Sequence, residues 1–147
     1  MRSLRVASVF LVVLAVGCFV KPIPQQTKIA DIASSQSSAT FVPPQTHGKP
    51  SEFEGQYMLL FGVPKGGRPL PTGTITLKDE SGGVVAEWSV KPDELTDANW
   101  LDDESLDARI IDFNNRFPLE RNRSYTVQID FEEVPPDGLS LWLSYFE

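Results

Sequence analysis

The feature that most constrains the fold of this chain is the alternation of apolar and polar residues along residues 52–147. Side chains two positions apart lie on the same face of a β-strand, so a period of two residues predicts strands. The first alternating segment is apolar on both faces, which predicts a strand that is buried on both sides. One face carries Tyr57, Leu59, Phe61 and Val63, and the other carries Met58, Leu60 and Gly62.

Two β-hairpins are predicted where alternating segments flank clusters of turn residues. The first joins residues 74–78 to residues 84–90 through a turn that ends in two glycines. The second joins residues 125–131 to residues 139–145 through a turn that contains Pro135-Pro136. In the second hairpin the apolar faces of the two strands can be matched across the turn. In the first hairpin Trp88 shares the parity of Val84, Ala86 and Val90, so we expect it in the core.

Two shorter segments, residues 109–113 and 117–119, are also predicted strands, and the second lies at a sheet edge because its proline has no N–H. Several short strands separated by turns predict an all-β domain over residues 52–147. We expect an antiparallel two-sheet β-sandwich, jelly-roll or immunoglobulin-like. Residues 92–106 interrupt the strands as a long acidic crossover, in which one helical turn is expected at the start.

Residues 18–51 differ in composition from the predicted sandwich. Five prolines interrupt regular structure, and Ser, Thr and Gln supply many of the other side chains. Such a segment buries too little apolar surface to offset the entropy of ordering it. We therefore expect a flexible stalk with a reach of roughly 30 Å.

Residues 1–17 have the three parts of a secretory signal peptide. Arg2 and Arg5 precede an apolar run, and small residues then lead into Cys18. The apolar run is shorter than the roughly 20 residues that span a bilayer, so a permanent membrane helix is the weaker interpretation. The segment Leu14-Ala15-Val16-Gly17-Cys18 resembles the lipobox of bacterial lipoproteins.

This resemblance implies cleavage before Cys18 and attachment of a diacylglycerol to its thiol. The mature chain would then be a lipoprotein of the bacterial cell envelope, with its folded domain in the periplasm or at the surface. Phe19 differs from the aspartate that retains such proteins at the inner membrane, which implies the outer membrane in a cell with two membranes. Two alternatives are an ordinary signal-peptidase cut after Gly17 and an uncleaved anchor.

The acidity of the chain belongs to the predicted sandwich. The whole sequence has 13 Lys and Arg against 20 Asp and Glu, a net charge of −7. Residues 52–147 hold eight of those basic and 19 of those acidic residues, a net charge of −11. A nucleic-acid-binding protein needs a basic face, so we expect no nucleic-acid partner.

The sequence offers no assembled set of catalytic or zinc-binding residues. The single histidine, His47, lies in the predicted stalk, and the single cysteine, Cys18, is assigned to the anchor. No histidine of the predicted sandwich can therefore serve as the base for a serine nucleophile. A Cys/His zinc site cannot be assembled either. We expect a protein that is not an enzyme and that has no catalytic residues, metal or cofactor.

The densest group of candidate binding residues lies in the acidic crossover. Closely spaced acidic side chains usually face water, but they can also attract a basic protein partner or coordinate calcium. Their order does not match that of a known calcium loop, so we favour a protein partner over a metal. The candidates are Asp93, Glu94, Asp97, Asp102, Asp103, Glu104 and Asp107.

A second candidate site is Trp142 in the predicted second hairpin. Trp142 has the parity of Ser140 and Ser144, so it points outward if Leu141 and Leu143 point inward. An exposed tryptophan beside small polar groups can hold a sugar ring or act as a protein hot spot. The alternative is that the stalk or Phe146 covers it. Its expected polar neighbours across the hairpin are Thr126, Gln128 and Asp130.

Three functions remain open for this exported domain. The favoured one is a binding module for a protein partner, for example an inhibitor or immunity protein that blocks a basic toxin or enzyme. The second is a carbohydrate-binding or cell-wall-binding module that uses Trp142. The third is a structural envelope component without a ligand. The domain resembles the small β-sandwich domains of bacterial envelope lipoproteins, but no motif in it indicates a named family.

Overall fold

The structure is a computed structural model that describes residues 25–44, 56–98, 101–111, 117–120 and 122–145 of the chain. The strands in these ranges form two antiparallel sheets that pack against each other, so the predicted all-β sandwich is confirmed. The strands are β1 Gln25–Asp31, β2 Gln36–Phe41, β3 Gln56–Pro64, β4 Gly73–Lys78, β5 Val84–Val90, β6 Thr96–Ala98, β7 Leu106–Ile110, β8 Phe117–Pro118, β9 Tyr125–Phe131 and β10 Ser140–Tyr145.

The chain passes repeatedly from one sheet to the other. Sheet A has the order β1-β10-β3-β7-β6, and β8 pairs with the start of β3. Sheet B has the order β2-β9-β4-β5. The consecutive strands β1 and β2 lie in different sheets, and so do β9 and β10. These crossings tie the two sheets together.

An inner core fills the space between the two sheets. From β3 of sheet A it includes Leu59 and Phe61, and from β4 of sheet B it includes Ile75 and Leu77. Each of these side chains is at most 2 % exposed, and burying one fully contributes roughly 1.5–3 kcal/mol. Trp88 also belongs to this core at 7 % exposure, which confirms its predicted inward position.

A second apolar layer, the outer cluster, lies on the other face of sheet A. Its buried members are Met58, Leu60, Ala108 and Ile110. Two partly buried side chains, Leu101 and Trp142, pack against it. The outer cluster explains why β3 is apolar on both faces, as its sequence predicted.

The prediction of a flexible stalk is wrong for residues 25–44. In this range β1 pairs with β10 in sheet A, and β2 pairs with β9 in sheet B. Ile32 lies between the two strands and is buried in the inner core. The alternation in β2 is hard to see in the sequence because only Ala39 and Phe41 are apolar. Backbone pairing with β9 and β10 stabilises a segment whose own side chains bury little surface.

The prediction of a second hairpin is also wrong. β9 and β10 have the predicted alternation, but β9 lies in sheet B and β10 lies in sheet A. The connection between them, residues 132–139, is longer than the two to five residues of an ordinary hairpin loop. Pro135 and Pro136 are buried in this connection, and Gly138 has a positive φ of 80°. The connection therefore carries the chain from one sheet to the other.

The first hairpin is confirmed, and Asp79 organises its turn. β4 and β5 pair in antiparallel register. Asp79 Oδ1 accepts hydrogen bonds from the backbone N–H groups of Ser81 and Gly83 at 2.9 and 2.8 Å, and from the Ser81 hydroxyl at 2.7 Å. These bonds, led by the Ser81 hydroxyl, lower the pKa of the Asp79 carboxyl below its ordinary value.

The predicted acidic crossover contains more structure than its sequence indicated. The expected helical turn is present as a 3₁₀ turn at Pro92–Glu94. The crossover also contains β6, which pairs with β7 at the edge of sheet A. β7 begins at Leu106, three residues before the predicted strand, and the end of that predicted strand lies outside the described residues.

Candidate binding cleft

A cleft of about 390 Å³ opens beside the β6–β7 edge of sheet A. The end of β3 and the loop that follows it form one side. The 3₁₀ turn, β6 and β7 form the other. We call it the charged cleft. Its charged residues are Arg68, Asp93, Asp97, Asp107 and Arg109, and its apolar residues include Val63, Leu70 and Leu95.

The charged cleft exists because β7 changes the chemistry of the inner face of sheet A. Arg109 is the register partner of Phe61, and Asp107 is the register partner of Val63. Phe61 and Val63 belong to the inner core, and Val63 also reaches the cleft, which Asp107 and Arg109 line with charged groups. Replacing apolar side chains by charged ones at this edge ends the inner core, so water can enter between sheet A and the loop after β3.

One ion pair is built into the charged cleft. Asp97 of β6 and Arg109 of β7 are register partners, and Arg109 Nη1 lies 2.7 Å from Asp97 Oδ1. An ion pair with an exposed carboxylate contributes little to the free energy of unfolding. Its main effect here is that Asp97 and Arg109 neutralise each other's charge. Within the described part of the chain, Asp93, Asp107 and Arg68 have no ion pair, which leaves the cleft with one surplus negative charge.

Three of the seven predicted acidic residues lie on a strap outside the charged cleft. The strap, residues 101–105, leads into β7 over the outer cluster. Leu101 packs on that cluster. The Asp102 N–H donates to Gln26 Oε1 of β1 at 3.1 Å, and the Lys65 N–H donates to the Ser105 carbonyl at 3.1 Å.

Asp103 has a local structural role in the strap. Its Oδ1 accepts hydrogen bonds from the Ser105 hydroxyl and N–H at 2.6 and 2.9 Å. These bonds, the hydroxyl first, lower the pKa of the Asp103 carboxyl, and the charge of Lys28 adds to the effect. Asp102 and Glu104 are exposed beside it.

The seven predicted acidic residues therefore do not form one site. Asp93, Asp97 and Asp107 line the charged cleft, and Asp102, Asp103 and Glu104 lie on the strap. Glu94 lies next to the cleft and forms an ion pair with Lys91, with Nζ 2.9 Å from Oε1. Sequence reasoning missed Arg68 and Arg109 because it searched only for clustered acids. The Asp97–Arg109 pair can be recognised only when the β6–β7 register is known.

The second predicted site is not assembled. Trp142 lies on β10 in sheet A, whereas Thr126, Gln128 and Asp130 lie on β9 in sheet B. These residues were grouped only because β9 and β10 were expected to pair, so the grouping fails with the hairpin. In sheet B, Gln128 lies between Ser38 of β2 and Thr76 of β4, on a polar outer face without an aromatic side chain.

Trp142 is half-buried on the outer cluster and takes part in local packing. Its indole N–H donates to the Ser140 hydroxyl at 2.8 Å, and that hydroxyl lies 3.4 Å from the Gly62 carbonyl. Gly62 is required here because a Cβ at this position would lie 2.6–2.9 Å from Ser140 Oγ, Trp142 Nε1 and Leu106 Cδ1. Trp142 therefore packs on the outer cluster and stays partly exposed.

Several predicted residues cannot be placed. Cys18, His47 and the lipobox-like segment lie outside the described residues. Within the described ranges, no three acidic, histidine or cysteine side chains are grouped as metal ligands would be. None of the helical segments described is long and apolar enough to cross a membrane.

Comparisons with known proteins add no relative. No protein-family model, curated protein or solved structure matches this chain. The charged cleft is therefore interpreted from its own residues.

Proposed function

We propose that this chain is a bacterial envelope lipoprotein whose β-sandwich is a non-catalytic binding module for a basic protein partner. The observation that carries this proposal is the charged cleft, which combines two uncompensated carboxylates with an apolar wall. In its concrete form, this protein is of the inhibitor or immunity type, and its partner is a basic toxin or enzyme that it blocks.

The charged cleft has the chemistry to receive a lysine or arginine side chain. Asp97 is already paired with Arg109, so Asp93 and Asp107 are the carboxylates available to a cation. Long basic side chains bury their methylene groups on apolar surface and keep the charged end near polar groups. Leu95, which is partly exposed, offers such a surface in the cleft, and the buried side chains of Val63 and Leu70 lie behind it.

The surplus charge of the domain supports the same partner. Residues 25–147 hold ten Lys and Arg against 20 Asp and Glu, so a basic protein would be attracted from a distance. The strap adds Asp102, Asp103 and Glu104 on an exposed surface. Complementary charge of this kind raises association rates and depends strongly on salt.

The membrane anchor remains part of the proposal and has its own test. We expect Cys18 to take up a fatty acid, because the segment before it resembles a lipobox. Growing the producing cells with an alkyne fatty acid should label the chain, and Cys18→Ser should abolish the label. Equal labelling of the wild-type and variant chains would contradict lipidation at Cys18.

Partner binding is tested by capture from envelope extracts. The wild-type chain should retain a basic protein that elevated salt releases. The double variant Asp93→Asn/Asp107→Asn should lose it, while the matched strap variant Asp102→Asn/Glu104→Gln should keep most of it. Retention that is unaffected by the cleft substitutions would contradict the proposed site.

A second candidate function, glycan binding, is favoured by the outer face of sheet B. This face presents a row of amide, hydroxyl and carboxylate groups from neighbouring strands, including Gln36, Asp130 and Thr74. Such groups can hydrogen-bond sugars, although the face has no aromatic platform among the described residues. Retention of cell-wall glycan by the wild-type chain, lost in Gln128→Ala, would support this alternative over the protein partner.

A further inference from the structure

We infer that the charged cleft recognises a C-terminal lysine or arginine residue of its partner. Asp93 and Asp107 would bind the basic side chain, and Arg68 would bind the terminal carboxylate. This inference rests on the proposed function, and it adds the position of the recognised residue within the partner chain.

The first observation is that the charged cleft contains unmatched charges of both signs. Arg109 is compensated by Asp97 at 2.7 Å, whereas Arg68 has no ion pair within the described residues. A basic side chain within a polypeptide would satisfy Asp93 and Asp107 but would leave Arg68 without an anion. A C-terminal basic residue carries a cation for the two carboxylates and a carboxylate for Arg68, so it offers both signs of charge the group they lack.

The second observation is the position of Arg68 in a short, constrained loop. The loop turns directly after β3, where the Gly67 N–H donates to the Pro64 carbonyl at 3.1 Å and Gly66 has a positive φ of 73°. Pro69 follows Arg68 and restricts the backbone on its other side. The Arg68 side chain is exposed on this loop, and a guanidinium can make two parallel hydrogen bonds to a carboxylate.

The third observation is the size of the charged cleft. Its volume of about 390 Å³ lies near the lower end of small-ligand sites, which span roughly 300–1,000 Å³. A space of this size has room for one residue with its chain end. The partly exposed side chain of Leu95 then faces the methylene groups of that residue.

The test uses three peptides that differ by one group each. They are acetyl-Gly-Gly-Lys with a free carboxylate, the same peptide with a C-terminal amide, and acetyl-Gly-Gly-norleucine with a free carboxylate. Binding to the whole chain, purified in mild detergent, is measured from amide NMR shifts. We expect the free lysine peptide to bind at least tenfold more tightly than either of the others.

Variants assign each preference to its residues. Arg68→Gln should remove the preference for the free carboxylate and keep the preference for lysine over norleucine. Asp93→Asn/Asp107→Asn should do the reverse. The matched controls are Arg123→Gln, whose guanidinium pairs with Glu120 at 2.8 Å, and Asp102→Asn on the strap, and both should bind like the wild type. Unchanged amide spectra without peptide confirm that each variant is folded.

The outcomes separate this inference from the proposed function. If the lysine acid and the lysine amide bind equally well, the inference is overturned and a basic side chain remains the ligand. If neither lysine peptide binds better than the norleucine peptide, the inference and the proposed function both fail. A carboxylate preference that survives Arg68→Gln would also overturn the role given to Arg68.

Discussion

At the scale of single residues, two serines of β10 show how the same side chain can have opposite effects on the stability of the fold. Ser140 and Ser144 are both 2 % exposed. The Ser140 hydroxyl accepts a hydrogen bond from Trp142, whereas Ser144 Oγ has no hydrogen-bond partner among the described residues. A buried hydroxyl without a partner loses its bonds to water and gains nothing in return.

We therefore predict that Ser144→Ala raises the free energy of unfolding by about 0.5–1 kcal/mol. Ser140→Ala should lower it by about 1 kcal/mol, because the Trp142 N–H loses its acceptor. Urea denaturation of both variants measures the difference. A loss of stability in Ser144→Ala would indicate that its hydroxyl has a partner.

Asp79 is a residue whose protonation should be linked to the stability of the first hairpin. Its folded-state pKa is lowered, so its turn bonds contribute above the unfolded pKa and are lost as the pH falls through the folded pKa. We predict that Ser81→Ala, which removes the hydroxyl donor, raises the Asp79 pKa toward its ordinary value. Carboxyl NMR titration measures this shift, and an unchanged midpoint would contradict the role of Ser81.

At the scale of secondary-structure elements, the strands that bury large apolar side chains could be predicted from the sequence. β3, β4, β5, β9 and β10 were found by their alternation, and Trp88 was placed correctly in the core. β1 and β2 were missed because their stability comes mainly from pairing with distant strands. The β9–β10 pairing was wrong because alternation identifies a strand but does not identify its neighbour.

The candidate site was predicted only in part for a related reason. The sequence identified Asp93, Asp97 and Asp107 as acidic residues of one segment. It could not separate them from the strap acids or place Arg68 beside them, because β6 was not predicted. Contacts between distant segments set the composition of the charged cleft, and a single sequence does not reveal those contacts.

The strap gives a prediction at this scale. The bond from the Asp102 N–H to Gln26 Oε1 joins the strap to β1, which is distant in sequence. Gln26→Ala should therefore speed hydrogen exchange of the Asp102 amide by roughly fivefold, which corresponds to a bond worth about 1 kcal/mol. Gln128→Ala on the outer face of sheet B is the control. Equal exchange rates in all three proteins would show that this bond does not hold the strap.

At the scale of the whole molecule, β1 and β2 extend the folded domain to residue 25 and determine at which end of sheet A the N-terminal segment enters it. Gln25 is level with Tyr145 and Tyr57, at the opposite end of β3 from Val63 and the charged cleft. Six residues separate Cys18 from Gln25, so the two residues lie at most about 25 Å apart. A lipid on Cys18 would therefore hold the sandwich close to the membrane, with the charged cleft at the distal end.

The domain boundary itself is testable. A chain that begins at residue 52 lacks β1 and β2, so the backbone edges of β10 and β9 are left unpaired. We predict that this truncated chain aggregates or loses its cooperative thermal transition, whereas a chain that begins at residue 25 keeps it. A cooperative, monomeric truncated protein would contradict the assignment of β1 and β2 to the domain.

The most direct test of the charged cleft is to map the binding of a single cation. Nα-acetyl-lysine N-methylamide has a free side-chain ammonium, so it carries one positive charge and no carboxylate. Its effect on the amide NMR spectrum of the whole chain locates the site. We predict salt-sensitive shifts around Arg68, Leu95, Asp97 and Asp107, and their loss in Asp93→Asn/Asp107→Asn. Shifts confined to the outer face of sheet B, or no shifts at all, would contradict the charged cleft as the binding site.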